Sequence, residues 1–284
     1  ASGGNGAGVF NDHGVVVDEP VMANTLVAEN FSLNDATIHG GGVYLAETNA
    51  TFRNCTITNN RTYPDESATS GVGGGIYVEA GAGLHLYNSI VWGNMAGTPS
   101  QIRFPSSGFS ASIDWSDVAT TNQLEVTFGA SAIAGLQGVD PKFEAGYTLR
   151  SIPRNYGNPE DVSACIDSGR YFEAATDLFN VDDDEDITER APDLTRRDRS
   201  SDDVNAANGS AADGGDCGWV DMGAHESQLV VEAVVSRYLR VVPKIGSASM
   251  ALSVVGDPSN VDVSCVSTYA QASGGECAHD CYIT

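Results

Sequence analysis

The 284 residues carry 38 acidic against 14 basic side chains, a formal net charge of −24, and so acidic a chain lacks the basic footprint that a nucleic-acid backbone demands. No apolar run approaches the roughly 20 residues needed to cross a bilayer, and no signal segment opens the chain at Ala1. Six cysteines, Cys55, Cys165, Cys217, Cys265, Cys277 and Cys281, suit an oxidised compartment but are too sparse for a disulfide scaffold, which leaves an apolar core to hold the fold and leaves solubility, cation binding or a salty habitat to explain the acids.

The first hundred residues repeat. Glycine-led starts "GAGVF" (6–10), "GGGVYLAE" (40–47) and "GGGIYVEA" (73–80) are each followed by an asparagine frame: "NTLVAEN" (24–30), "NCTITNN" (54–60) and "NSIVWGN" (88–94). Gly8, Gly42 and Gly75 stand 34 and 33 residues apart, a period that signals stacked repeats. Val, Ile, Thr and aromatic residues broken by Gly and Asn read as short strands joined by bends, which excludes helical repeats for this stretch.

Aligning the frames gives columns. Thr25, Cys55 and Ser89 are small, Val27, Ile57 and Val91 are β-branched, and Met22, Phe52 and Leu86 form an apolar column before the bend. Period-two alternation puts these inside and the mixed set Ala28, Thr58 and Trp92 outside. Strands that stack like on like and run one way form parallel sheets about 4.8 Å apart, and the simplest closed solution is a right-handed parallel β-helix.

Asn24, Asn30, Asn54, Asn60, Asn88 and Asn94 then form a structural ladder, because Asn tolerates left-handed bends and its amide can donate and accept along the stack. Cys55 is expected to be a packed, unpaired thiol. The N-x-S/T sites at Asn30, Asn49, Asn54, Asn60 and Asn208 include three ladder positions, which weakens any reading as glycan acceptors. Because Ala1 already lies inside the repeat pattern, the chain is expected to be a fragment of a longer β-helix or to meet a partner at an open first rung.

Further along come "IDWSDV" (113–118), "GVDPKF" (138–143), "GYTL" (146–149), "ACIDSG" (164–169) and "VDMGAHE" (220–226). In this order they resemble the secreted bacterial right-handed parallel β-helix repeat proteins of the pectate-lyase-like superfamily, often described by a choice-of-anchor C-terminus. The resemblance covers roughly residues 1–226. It implies an extracellular or cell-surface location and a helix closed by the Asp-Pro-x-Phe to Cys-Ile-Asp region. On its motif positions, Asp140, Asp167 and Asp221 are expected to stabilise turns rather than to perform chemistry.

The segment 180–203 also resembles an acidic insertion of that family. Asn180, Asp182, Asp184 and Asp186 alternate so as to place hard oxygen ligands on one side of a loop, as calcium requires. Glu185 stands where a calcium-loop turn favours glycine, and Glu189 is the nearest candidate for a closing carboxylate. The arginines 196, 197 and 199 offer the competing outcome of neutralising the loop.

From about Gln228 alternating apolar and polar residues with a Pro-Lys-Ile-Gly turn read as antiparallel strands. The expected organisation is all-β: a parallel β-helix over 1–226 and a small antiparallel, sandwich-like β domain, incomplete at this length, over 227–284. "CAHDC" near its end fits a disulfide corner better than a metal site with His279.

An enzyme of this superfamily would need a base and acids on one exposed sheet for a calcium-dependent lyase, or two carboxylates about 5–9.5 Å apart for a hydrolase. Arg53, His85 and Arg103 are the available bases and Glu47, Glu79, Asp114 and Asp117 the available acids, of which Asp114 with Asp117 could approximate the hydrolase pair. These form no recurring cluster. The expectation is therefore a non-catalytic extracellular scaffold, adhesion or assembly module, within a longer protein or filament, whose partner is a surface polysaccharide or another β-helix subunit. A calcium-dependent polysaccharide lyase or glycoside hydrolase is the alternative.

Overall fold

In a computed structural model the described residues are 8–11, 19–31, 39–62, 71–96, 101–105, 107–119, 133–134, 138–154, 161–178, 180–199, 201, 203, 206, 219–227, 232–233, 239–242 and 251–254. Cys217, Cys265, Cys277, Cys281, His279 and the Asn208 sequon lie outside them.

Glycine-led starts become the first strand of each coil and asparagine frames the third. One sheet stacks β1 (Val9–Asn11), β4 (Val43–Leu45), β7 (Ile76–Val78) and β10 (Ile102–Arg103). A second stacks β2 (Val21–Ala23), β5 (Asn49–Arg53), β8 (Gly83–Tyr87), β11 (Ser110–Asp114) and β13 (Ile133–Ala134). The third stacks β3 (Leu26–Ala28), β6 (Thr56–Thr58), β9 (Ile90–Trp92) and β12 (Asp117–Val118). Every pairing among them is parallel and in the register of the sequence columns, Met22 on Phe52 on Leu86 and Val27 on Ile57 on Val91. The chain is a parallel β-helix.

Its interior is a stack of like residues. Val43 and Ile76 line one wall, Phe52, Leu86 and Ile113 the next, and Ile57, Val91 and Val118 the third, all buried in one core. The small column lies inside too, where Cys55 is a free thiol with no exposed surface, its pKa pushed up to about 12 chiefly by burial. Ser89 Oγ accepts the Cys55 N–H (3.1 Å) and Ser116 Oγ the Ser89 N–H (3.1 Å). Ser116 reveals a fourth coil that the asparagine frame hides, because Trp115, at φ +48°, turns the corner that Asn24, Asn54 and Asn88 turn at +49°.

The six asparagines divide into two kinds. Asn24, Asn54 and Asn88 make the left-handed corner into the third sheet and aim their amides outward, at the Ala191, Asp221 and Arg170 carbonyls respectively. Asn30, Asn60 and Asn94 stack on one another, with Asn30 Nδ2 to Asn60 Oδ1 at 2.9 Å and Asn60 Nδ2 to Asn94 Oδ1 at 3.0 Å. Gln101 ends the stack by accepting from Asn94 Nδ2 (3.0 Å). Here the left-handed residue is the one before, Glu29, Asn59 or Gly93. The stack leaves no room for a side chain on the glycine column, since a Cβ at Gly42 would sit 2.7 Å from the Gly75 carbonyl and 2.9 Å from Asn60 Nδ2.

Beyond the coils the described residues of 138–227 contain short turns, 3-10 segments and isolated bridges but no parallel strand. Glu173 of this segment reaches Arg53 on the second sheet, and part of the segment, the cover, lies over the outer face of the third. Ile90 faces outward there and packs with Leu149, Val162, Cys165, Ile166 and Met222 in a second core, against which Trp92 also rests. Thr58, expected outside, is 1 % exposed for the same reason, and its neighbour Thr56 accepts the Ala224 N–H (2.9 Å). A separate three-stranded antiparallel sheet follows: β14 (Glu232–Ala233), β15 (Leu239–Val242) and β16 (Ala251–Val254).

Candidate functional site

Asp114 and Asp117 are three residues apart, but the Trp115 corner lies between them and puts them on different sheets. Asp114 ends a strand of the second sheet, half-buried, accepting a hydrogen bond from Ser112 Oγ (2.6 Å). Asp117 has no exposed surface. One of its oxygens accepts the Val139 N–H (3.1 Å) and the other faces the Cys165 thiol (3.3 Å). Burial pushes its pKa up to about 6. This carboxyl belongs to the joint between helix and cover, and no sugar can reach it in that position.

The candidate bases are held as well. Arg53 donates to the Glu173 carboxylate (2.8 Å) and backbone carbonyl (2.6 Å) and lies over the Tyr87 ring, 4.5 Å from its centre. His85 Nε2 is 3.6 Å from Glu19 Oε1, which also accepts from Thr51 Oγ1 (2.9 Å). Arg53 and His85 share the outward face of the second sheet with Asp114 and Glu19, whereas Arg103 ends the last strand of the first sheet.

Sequence reasoning missed a buried ionic network in the cover, because charged residues in irregular segments read as surface. Arg199 has no exposed surface; its guanidinium donates to the Gly223 (3.1 Å) and Ala224 (3.0 Å) carbonyls and lies 3.5 Å from Glu226. Asp221 accepts the Asp167 N–H (2.8 Å) and Ser227 N–H (2.5 Å), and Asp167 accepts the Asp203 N–H (3.1 Å). Asp193 caps Thr195 and Arg197 and takes the Glu226 N–H (3.0 Å). Burial raises Asp221 to about 7 and Glu226 well above its ordinary value, the nearby Arg199 opposing both shifts. These groups clamp loops, much as Asp140 does when it accepts the Lys142 N–H (2.9 Å).

The acidic loop is arranged differently from the alternation 180, 182, 184, 186. Asn180 Oδ1 accepts the Glu185 N–H (3.0 Å), Asp184 Oδ1 the Asp186 N–H (2.7 Å), and Asp186 Oδ1 both the Thr188 N–H and hydroxyl. Glu185 adopts φ +75°, a conformation that glycine takes at less cost. Of the four, Asp182 alone joins a group of close carboxylates, and its companions Asp177 and Glu189 lie outside the alternation. They meet because the loop's ends are bridged, Thr176 to Arg190, with the Asp177 N–H donating to the Glu189 carbonyl (3.0 Å). Burial, then the charges of Asp184, Asp182 and Asp186, push Glu189 up to about 7. Of the neighbouring arginines, Arg196 approaches the exposed Asp183 (3.7 Å) and Arg199 is drawn into the cover.

A family model described as "Right handed beta helix region" matches residues 2–117. The match ends in the fourth coil, where the cover's contribution begins. No curated protein and no solved structure gave a significant match to the chain.

Proposed function

We propose that the protein is a non-catalytic extracellular or cell-surface module, a β-helix scaffold that holds adhesive or assembling surfaces at fixed spacing, with a surface polysaccharide or a further β-helix subunit as its partner. The observation that carries this reading is the fate of the outward polar groups. On the third sheet Asp117 and Thr58 are sealed under the cover, and on the second sheet Arg53 and Asp114 are engaged by Glu173 and Ser112. Cleavage of a glycan would require paired carboxylates with a neighbouring base open on one sheet, and the pair singled out in the sequence, Asp114 and Asp117, stands on two different sheets.

Assembly is favoured by the first coil, where Val21 is 62 % exposed and a hollow of about 210 Å³ lies between Val9, Met22, Leu45 and Phe52. The reading is tested by incubating the intact chain, with and without calcium, with polygalacturonate, alginate and neutral glycans. Unsaturated uronate products and new reducing ends are then followed. No turnover is expected; sustained turnover that Asp114→Asn abolishes would overturn the reading.

A further inference from the structure

The three carboxylates gathered at the base of the acidic loop carry an inference that the scaffold reading does not need. One ligand oxygen from each of Asp177, Asp182 and Glu189 lies within 4.8 Å of the other two. Oxygens bound to one calcium ion at 2.3–2.6 Å stand at most about 5 Å apart. Asp177 is 1 % exposed. Its Oδ2 accepts the Val181 N–H (2.8 Å), while its Oδ1 is buried and has no hydrogen-bond partner. Asp182 Oδ1 is buried and unpartnered in the same way. A buried carboxylate oxygen without a donor is costly, by about 1–3 kcal/mol or more for a charged group, and here two such oxygens belong to one cluster.

A donor from the protein would normally settle this arrangement, and Arg190, Arg196 and Arg199 are directed elsewhere. Arg190 donates to the Ala174 carbonyl (2.9 Å) and lies over the Tyr171 ring, Arg196 faces Asp183, and Arg199 is buried beside Glu226. Among the described residues no hydrogen bond or ion pair joins a cationic side chain to Asp177, Asp182 or Glu189.

We propose that Asp177, Asp182 and Glu189 bind one hard divalent cation, calcium by preference, which ties the tip of the acidic loop to the bridge at its base. All three donors are carboxylate oxygens, the ligand type that calcium favours over softer metals. Water supplies the remaining positions of a six- to eight-coordinate ion. Asn180, Asp184 and Asp186 serve the site indirectly, by holding the loop turns with their side-chain oxygens.

The test is calorimetric titration of calcium chloride into the full chain after chelator treatment, beside Glu189→Gln, Asp182→Asn and the control Glu47→Gln. Glu47 is exposed and lies on the first coils, so its variant removes the same charge away from the loop. Asp177 is left intact because its replacement risks the fold. The expected result is one saturable calcium site, weakened at least tenfold in Glu189→Gln and in Asp182→Asn and unchanged in Glu47→Gln, with all variants retaining the parent's far-ultraviolet circular dichroism in chelator. Absence of saturable binding, or equal weakening by Glu47→Gln, overturns the proposal, as does undiminished affinity in folded Glu189→Gln and Asp182→Asn.

Discussion

Replacing Asn60 with alanine removes the middle of the amide stack, and the structure sets the size of the loss. Asn60 Oδ1 accepts from the Asn30 N–H (3.1 Å) and Nδ2 (2.9 Å), while its Nδ2 donates to the Val27 carbonyl (2.9 Å) and Asn94 Oδ1 (3.0 Å). Asn94 Oδ1 keeps the Asn60 N–H (3.0 Å) and Asn30 Nδ2 keeps the Ala28 carbonyl (3.2 Å). The group deprived outright is therefore the Asn30 N–H, while the Val27 carbonyl, which the parallel ladder to β6 also engages, loses a second donor. At about 1–3 kcal/mol for each buried group left unmatched, and with water able to reach the half-buried Asn30 side, Asn60→Ala should cost about 3 kcal/mol. Urea unfolding of the full chain measures this, read as a shift in midpoint at constant slope. The neighbouring Asn59→Gly is the comparison. Asn59 is exposed, has φ +53° and makes one amide contact to Tyr147 Oη (3.0 Å), so its loss should stay within about 1 kcal/mol. An Asn60→Ala protein within about 1 kcal/mol of the parent would refute the reasoning, since a stack that stabilises the corner cannot be removed without effect.

Gly42→Ala presses a methyl group between the Gly75 carbonyl and Asn60 Nδ2 and should cost about 1–3 kcal/mol by the same urea assay; a neutral result would mean the corner is looser than the geometry requires. Folding raises Asp117 to about 6 and Asp221 to about 7, against about 3.9 unfolded. Their stabilising contribution is thus full below about pH 4 and is lost as pH rises through the folded values. The thermal midpoint should consequently increase from pH 8 to pH 5, with a shallower rise in Asp117→Asn, and a midpoint that falls over that interval would contradict the burial of these groups. Val21→Glu should abolish any concentration-dependent self-association seen by sedimentation; a parent chain that stays monomeric at every concentration counts against assembly through the first coil.

What the sequence made legible is what repeats. Met22, Phe52 and Leu86 stack because each occupies the same place in a coil, and a period written in residues becomes a column in space. The fourth coil was hidden because Trp115 replaces the asparagine that opens the frame, although backbone and register continue unchanged. The cover was not legible, since it buries Cys165, Asp117, Asp221 and Arg199 through loops without periodicity, and nothing local distinguishes a buried arginine from an exposed one. At the acidic loop, alternation pointed to residues whose oxygens serve turns. The close cluster depends on the bridge from Thr176 to Arg190, a contact between loop ends that composition does not encode; Glu189, near the place of a closing carboxylate, was the available signal.

The scaffold reading depends most on the third sheet being closed, and amide hydrogen exchange of the full chain tests that directly. The Gly223 N–H donates to the Asn88 carbonyl (2.7 Å) and the Ala224 N–H to Thr56 Oγ1 (2.9 Å), so both should exchange as slowly as the coil amides of Ile90 and Val91. If Gly223 and Ala224 exchange within seconds while the coil amides remain protected, the cover is not part of the fold, Asp117 faces solvent, and the third sheet is a free surface on which a glycan can be bound and cut.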